Sequence, residues 1–119
     1  SVWEAALFAS AKKLNKLCAI IDYNKWQATG KSKDILNLNS LVEKFEKFGW
    51  IVKEIDGHDH DLIYKTCLSA KKEVSKPTMI IANTIKGKGV SFMEDDNNWH
   101  YRIPNNKEVE ESKKELQIK

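Results

Sequence analysis

Three short apolar runs alternate with stretches of helical periodicity, and this alternation restricts the chain more than any other feature. The runs are Leu17–Asp22 (LCAIID), Trp50–Ile55 and Thr78–Ala82 (TMIIA). The first is almost wholly apolar, as expected of a parallel strand covered on both faces. The second carries Lys53 and Glu54, which predicts a more exposed place in the sheet, and the third reads as a buried strand. Between and around them the spacing predicts helices. Trp3, Leu7 and Leu14, with Ala6 and Ala11, give an amphipathic helix over Val2–Leu14 whose alanines predict close packing. Ser40-Leu41-Val42-Glu43 reads as a capping box, followed by a stripe of Leu41, Phe45 and Phe48 and a stop at Gly49. Asp59 caps a helix with Ile63, Cys67, Ala70 and Val74 on one face, ended by Lys76-Pro77. A charged helix from about Glu108 to Leu116 closes the chain, and residues 23–39 and 83–106 read as loops. The order implies an α/β fold: a parallel sheet with flanking helices and right-handed crossovers.

In such sheets ligands bind beyond the carboxyl ends of the strands. That rule selects Tyr23–Gln27, Asp56–Asp61 and Asn83–His100 as the places to look for chemistry.

Composition narrows the classes. The 20 basic and 17 acidic residues leave a net charge of only +3, and the lysines are scattered, which argues against a nucleic-acid partner. No apolar run approaches a membrane span, and the first residues show no leader, so a cytoplasmic protein is expected. Cys18 and Cys67 lie in apolar segments without metal-ligand spacing and are expected to be small buried hydrophobes in a reducing compartment. The chain opens Ser1-Val2-Trp3-Glu4, without Met and already at a helix start, which predicts a segment upstream.

Asp22-Tyr23-Asn24-Lys25-Trp26 follows the first run. An Asn amide oxygen and a backbone carbonyl are hard ligands suited to Mg²⁺ or Ca²⁺, but they bring no charge; from pattern alone a plain turn is preferred. Thr84-Ile85-Lys86-Gly87-Lys88-Gly89 follows the third. Its glycines permit close backbone approach and its lysines favour an anion such as phosphate, although a solvated basic turn fits the pattern equally and the Walker spacing is absent. His100 closes the same loop and is either a phosphate contact or simply exposed. His58 and His60 stand two apart at a loop edge, so structural roles are preferred to zinc.

Taken together, SVWEAALFAS, LCAIIDYNKWQATG, KFEKFGWIVKEIDGHDHD, KPTMIIANTIKGKGVSFMED and WHYRIP resemble transketolases, in order and over nearly the whole chain. The resemblance implies a thiamine-diphosphate-binding fold, with residues 1–119 forming part of the diphosphate-binding domain and the family's Gly-Asp-Gly segment lying before Ser1. It implies thiamine diphosphate and Mg (or Ca) as cofactors, with Asn24 and the Trp26 carbonyl as metal ligands. By the same resemblance Asn24, Lys86 and His100 bind the cofactor, and the catalytic residues are His100, which also meets the donor sugar, and Glu4, which lies at a subunit interface in a proton relay. The complete assembly would transfer a two-carbon ketol unit between sugar phosphates. It would include the upstream segment and a pyrimidine-domain subunit, as a homodimer or heterotetramer, and these 119 residues alone are expected to be inactive. Two departures stand out. Tyr101 replaces the usual glycine after Trp-His, and Trp26 replaces an aliphatic residue. The alternatives are another thiamine-diphosphate enzyme, similar to deoxyxylulose-phosphate synthase, and a non-catalytic anion-binding or interaction module that keeps the fold.

Overall fold

The computed structural model describes residues 1–118, so the last residue of the expected 1–119 segment lies outside the described residues. They fall into two compact units, residues 1–23 with 38–84, and residues 24–37 with the chain from Ile85 onward. In chain order the elements are α1 (Val2–Ala11), β1 (Cys18–Tyr23), β2 (Trp26–Gln27), β3 (Gly30–Lys31), α2 (Ser32–Ile35), α3 (Leu41–Lys47), β4 (Ile51–Asp56), α4 (His60–Lys72), β5 (Thr78–Asn83), a 3₁₀ turn (Asn97–His100) and α5 (Asn106–Glu115).

The first unit is the expected parallel sheet, ordered β1-β5-β4, with Thr78 opposite both Cys18 and Ile51. β5 is central, and Thr78–Ala82 are all buried, as a run without a single charge allows. β4 lies at an edge with Lys53 and Glu54 exposed, as their charge predicted. β1 differs from expectation. It forms the other edge among the described residues, and its residues alternate between exposed and half-buried, Ile20 being 57% exposed. The cause is the placement of α4, whose Ile63 and Cys67 pack on Ile55, Ile80 and Ala82 of the other two strands. A trough of 230 Å³ remains beside Ile20 and Cys67. Cys18 is therefore exposed and Cys67 half-buried, not the two buried thiols expected; both are free. Partial desolvation, and then the nearby Cys67, raise the Cys18 thiol's pKa, which keeps it protonated.

The opposite face carries the larger core. Ala6 and Ala9 of α1, Leu41 and Phe45 of α3, and Trp50 close over Met79 and Ile81. The Phe45 ring lies 5.5 Å from Trp3, 6.2 Å from Phe48 and 5.9 Å from Trp50, in tilted or edge-on geometry. The alanines let α1 approach closely enough for the Trp50 indole N–H to donate to the Ala6 carbonyl at 2.9 Å. Both outer helices end earlier than their apolar periodicity predicted. α1 stops at Ala11, with Lys13 at φ 52 and Leu14 exposed; α4 stops at Lys72, leaving Val74 66% exposed. After α4 the Glu73 carboxylate accepts the Val74 and Ser75 N–H groups at 2.9 and 2.7 Å and turns the chain away.

The helix caps divide instructively. Asp59 caps α4 as expected, accepting the Leu62 N–H at 2.9 Å. Gly49, at φ 90, ends α3 in a Schellman motif: its N–H donates to the Glu46 carbonyl and that of Trp50 to the Phe45 carbonyl. Ser40, however, makes no capping bond. It sits at φ 57, ψ 47, and a side-chain cap needs an extended N-cap residue. The capping box lies instead at α5, where Asn105 Oδ1 accepts the Glu108 N–H at 3.0 Å and Glu108 Oε2 accepts the Asn105 N–H at 2.8 Å. Accordingly, Asp59→Ala is expected to cost about 1 kcal/mol. Ser40→Gly, relieving a left-handed residue, is expected to add about 1 kcal/mol. Urea denaturation of both variants separates the two signs.

In the second unit, part of the expected loop 23–39 is ordered. β2 and β3 pair as a hairpin through Ala28-Thr29, and the Lys25 carbonyl accepts the Ser32 N–H at 2.8 Å to start α2. The long loop after β5 is pinned within the same unit. Val90 is buried, and the Ser91 hydroxyl donates to Glu115 of α5 at 2.7 Å.

Candidate functional site

The carboxyl rim of the sheet is tightly knit. Tyr23 and Asp56 both stand opposite Asn83, whose carbonyl accepts the Gly57 N–H at 2.7 Å and whose amide donates to Glu54 at 2.9 Å. The Thr84 N–H donates to the Tyr23 carbonyl at 3.3 Å, and its hydroxyl to Asp22. Gly57 has no room for a side chain here, since a Cβ would lie 2.5 Å from the Thr84 methyl. The Asp56 carboxylate accepts the His58 N–H at 2.8 Å, and His60 opens α4. No cluster of three or more His, Cys, Asp or Glu side chains suited to a metal occurs among the described residues. Glu4 also belongs to this unit, exposed on the first turn of α1.

The other four expected site residues, Asn24, Trp26, Lys86 and His100, fall together in the second unit. The β2–β3 hairpin is its hub. Asn24 is half-buried, and its Oδ1 accepts the Trp26 N–H at 2.9 Å, which fixes the carbonyl and leaves it a second lone pair. The Trp26 indole donates to Asp95 Oδ1 at 2.7 Å. The Lys31 ammonium lies 4.1 Å over the Trp26 ring and bonds both Asp95 oxygens, at 3.1 and 2.9 Å. The Asp95 N–H in turn donates to the Lys86 carbonyl at 2.9 Å. From the other side, the Asn97 amide donates to the Gln27 and Ala28 carbonyls at 3.2 and 3.0 Å, tying the His100 turn to the same hairpin. The Asp95 carboxyl is held below the usual Asp range, first by Lys31 and then by the Trp26 indole. This linkage is therefore fully formed at neutral pH and is lost only as pH falls through that lowered value.

The two lysines of the KGKG stretch are not equivalent. Lys88 lies 3.4 Å from Glu94, which also accepts the Gly89 N–H at 3.0 Å, so that half of the stretch is already neutralised. Lys86 is half-buried, and its ammonium has no hydrogen-bond or ion-pair partner among the described residues. Gly87 between them is at φ 73, and a Cβ there would lie 2.4 Å from the Met93 carbonyl oxygen.

His100 is exposed at the end of the 3₁₀ turn, its ring edge-on to Tyr101 at 4.7 Å. The turn is braced by Trp99, whose indole donates to the Phe92 carbonyl at 3.0 Å. Arg102 stacks over Trp99 at 4.4 Å and pairs with Glu108. A 770 Å³ cleft runs past Trp26, Thr29, Gly30, Asn98, Tyr101 and Arg102. Sequence reasoning missed Asp95, Asn97 and Arg102. The only local signal was the polar run Asp95-Asp96-Asn97-Asn98.

A parallel sheet with helices packed on both faces defines an α/β domain, and in such domains ligands bind beyond the carboxyl ends of the strands. The family model described as "Transketolase, thiamine diphosphate binding domain" matches residues 2–119, and the chain belongs to that family. Over 93 residues it is 48% identical to the 6-deoxy-6-sulfo-D-fructose transketolase subunit SqwG of Clostridium sp. strain MSTE9, covering 78% of this chain and 34% of that one. Over 116 residues it is 44% identical to an apulose-4-phosphate transketolase subunit of Actinobacillus succinogenes, covering 98% of this chain and 42% of that one. The chain thus spans less than half the length of these relatives. The crystal structure of transketolase from Campylobacter jejuni superposes with a TM-score of 0.89 at 30% identity, over 97% of this chain and 18% of that one. A Pichia stipitis transketolase, 20% identical with a TM-score of 0.73, shares the fold over 97% of this chain and 21% of its own. As expected from its sequence, no described helix is long and apolar enough to cross a membrane.

Proposed function

We propose that residues 1–119 are part of the diphosphate-binding domain of a cytoplasmic transketolase-type transferase that moves a two-carbon ketol unit between sugar phosphates. One observation carries the reading: a half-buried lysine without a counter-charge, Lys86, shares a compact unit with the fixed amide oxygen of Asn24 and with His100. An ammonium in that state favours an anion, and neutral oxygens favour a hard cation, so the side chains suit a metal-bridged diphosphate.

In this reading Asn24 Oδ1 and the Trp26 carbonyl are ligands to Mg²⁺ (or Ca²⁺). The anionic share of the metal shell comes from the diphosphate and from residues outside this chain. Lys86 neutralises the diphosphate, and His100 donates a hydrogen bond to it or to the donor sugar. When bound, thiamine diphosphate supplies the carbanion and the electron sink for carbon–carbon cleavage; the protein binds, orients and excludes water. Glu4 serves at the interface with a second subunit. The partners are the rest of the diphosphate-binding domain and a pyrimidine-binding subunit, in a homodimer or heterotetramer. The two relatives act, by name, on a sulfonated and a phosphorylated sugar. An anionic sugar substrate is accordingly proposed for this chain's assembly.

The test is calorimetry of thiamine diphosphate binding to the complete assembly in Mg²⁺. Charged hydrogen bonds contribute about 1.5–3 kcal/mol, so Lys86→Met should weaken binding about 10- to 100-fold. Asn24→Leu should raise the Mg²⁺ concentration needed for half-saturation. Wild-type affinity in both variants rejects the assignment.

A further inference from the structure

We infer that Asp95 is a positioning residue that locks the Trp26 hairpin to the Lys86 loop, so that the metal-facing and anion-facing groups are held at one fixed spacing. The inference rests on the diphosphate reading above and deepens it.

Beside the separate tie from Asn97 to the hairpin turn, one residue joins Trp26, Lys31 and Lys86. The Asp95 carboxylate takes the Trp26 indole N–H and the Lys31 ammonium, and its backbone N–H donates to the Lys86 carbonyl. Asp95 sits at φ 54, a left-handed conformation that non-glycine residues avoid unless the surroundings impose it. Here the surroundings are those three partners. The identity of residue 26 follows as well. Only a side chain with a donor at its far end can reach the carboxylate, and the flat indole also gives Lys31 a surface on which to lie. Trp26 and Asp95 are thus a matched pair.

Asp95 is not itself suited to be the missing anionic metal ligand. Oδ1 accepts from both Trp26 and Lys31, and Oδ2 from Lys31, so its charge is already balanced by an ammonium that would stand against any cation bound beside it. Its role is mechanical: hairpin and loop become one body before any ligand arrives, and the ordering cost of binding falls accordingly.

The experiment uses the intact protein with Mg²⁺ and inorganic pyrophosphate as the probe. Affinity is read by calorimetry, amide hydrogen exchange over residues 24–31 and 86–95 by mass spectrometry, and global unfolding by circular dichroism. Asp95→Ala should weaken pyrophosphate about tenfold and speed exchange in both segments together, with the unfolding midpoint of the sheet unchanged. Trp26→Phe should give a smaller loss, and adding it to Asp95→Ala should cost nothing further, because both remove the same link. Asp95→Asn, which keeps an acceptor for the indole, should restore part of the affinity and keeps the test readable if the alanine variant folds poorly. Unchanged affinity in Asp95→Ala overturns the positioning role alone. So does weakened affinity with unchanged exchange, which would make Asp95 a direct ligand. Absence of pyrophosphate binding by the wild-type protein overturns the diphosphate reading and this inference with it.

Discussion

Phe45→Ala is expected to destabilise the sheet unit by about 3–5 kcal/mol, a large share of the roughly 5–15 kcal/mol that holds an ordinary domain together. Phe45 is completely buried, and its ring packs on three other aromatic rings. Its cavity cannot close easily. Trp50 is anchored by its bond to the Ala6 carbonyl, and Met79 and Ile81 belong to a strand whose place the backbone ladder sets on both sides. Cost rises with the volume left empty, so poor collapse places this substitution at the upper end. Phe45→Leu, which restores most of the volume, should cost about 1.5 kcal/mol. Urea denaturation should show the midpoint falling in that order with an unchanged slope; equal midpoints would mean that the aromatic cluster is not what holds α3 to the sheet.

Gly87→Ala is expected to damage the other unit by about 2–4 kcal/mol while sparing the sheet. The added methyl would meet the Met93 carbonyl oxygen at 2.4 Å and its carbon at 2.7 Å, so backbone must move, and at φ 73 an L-residue is strained in any case. Gly89→Ala is the control. Its φ of 96 carries similar strain, but the methyl meets only the end of the Leu116 side chain, at 3.0 Å, which can turn aside. Fast amide exchange over residues 86–95 with near-complete loss of diphosphate affinity is expected for Gly87→Ala, and a lesser loss for Gly89→Ala. If the two variants behave alike, the collision with Met93 decides nothing.

The sequence predicted the sheet more accurately than its edges. Thr78–Ala82 carries no charge, which suits the central strand, and Lys53 and Glu54 mark β4 as marginal. Nothing in LCAIID shows that α4 leaves Ile20 uncovered, because an apolar run reads the same whichever helix lies over it. A Ser/Asn-x-x-Glu pattern occurs at both Ser40 and Asn105, and the choice between them is made by backbone: Ser40 is left-handed and Asn105 extended. The hairpin escaped notice because strands of two residues have no period to detect. Asn24, Trp26, Lys86 and His100 were expected at the site by resemblance, and all four belong to one unit. Asp95 was not found, since its partner Trp26 is 69 residues away and a long-range pair leaves no local signature.

The sheet order β1-β5-β4 also constrains when this protein can fold. β1 and β4 both leave the ribosome before β5, and among the described residues each pairs with β5 and not with the other. β1 must wait for a partner about 60 residues further along the chain, a separation that slows folding through the entropy of closing so large a loop. A ribosome stalled before Thr78 would therefore hold β1 and β4 without the strand that connects them. Joining β1 to β4 thus becomes a single late event, triggered when the TMIIA segment clears the exit tunnel.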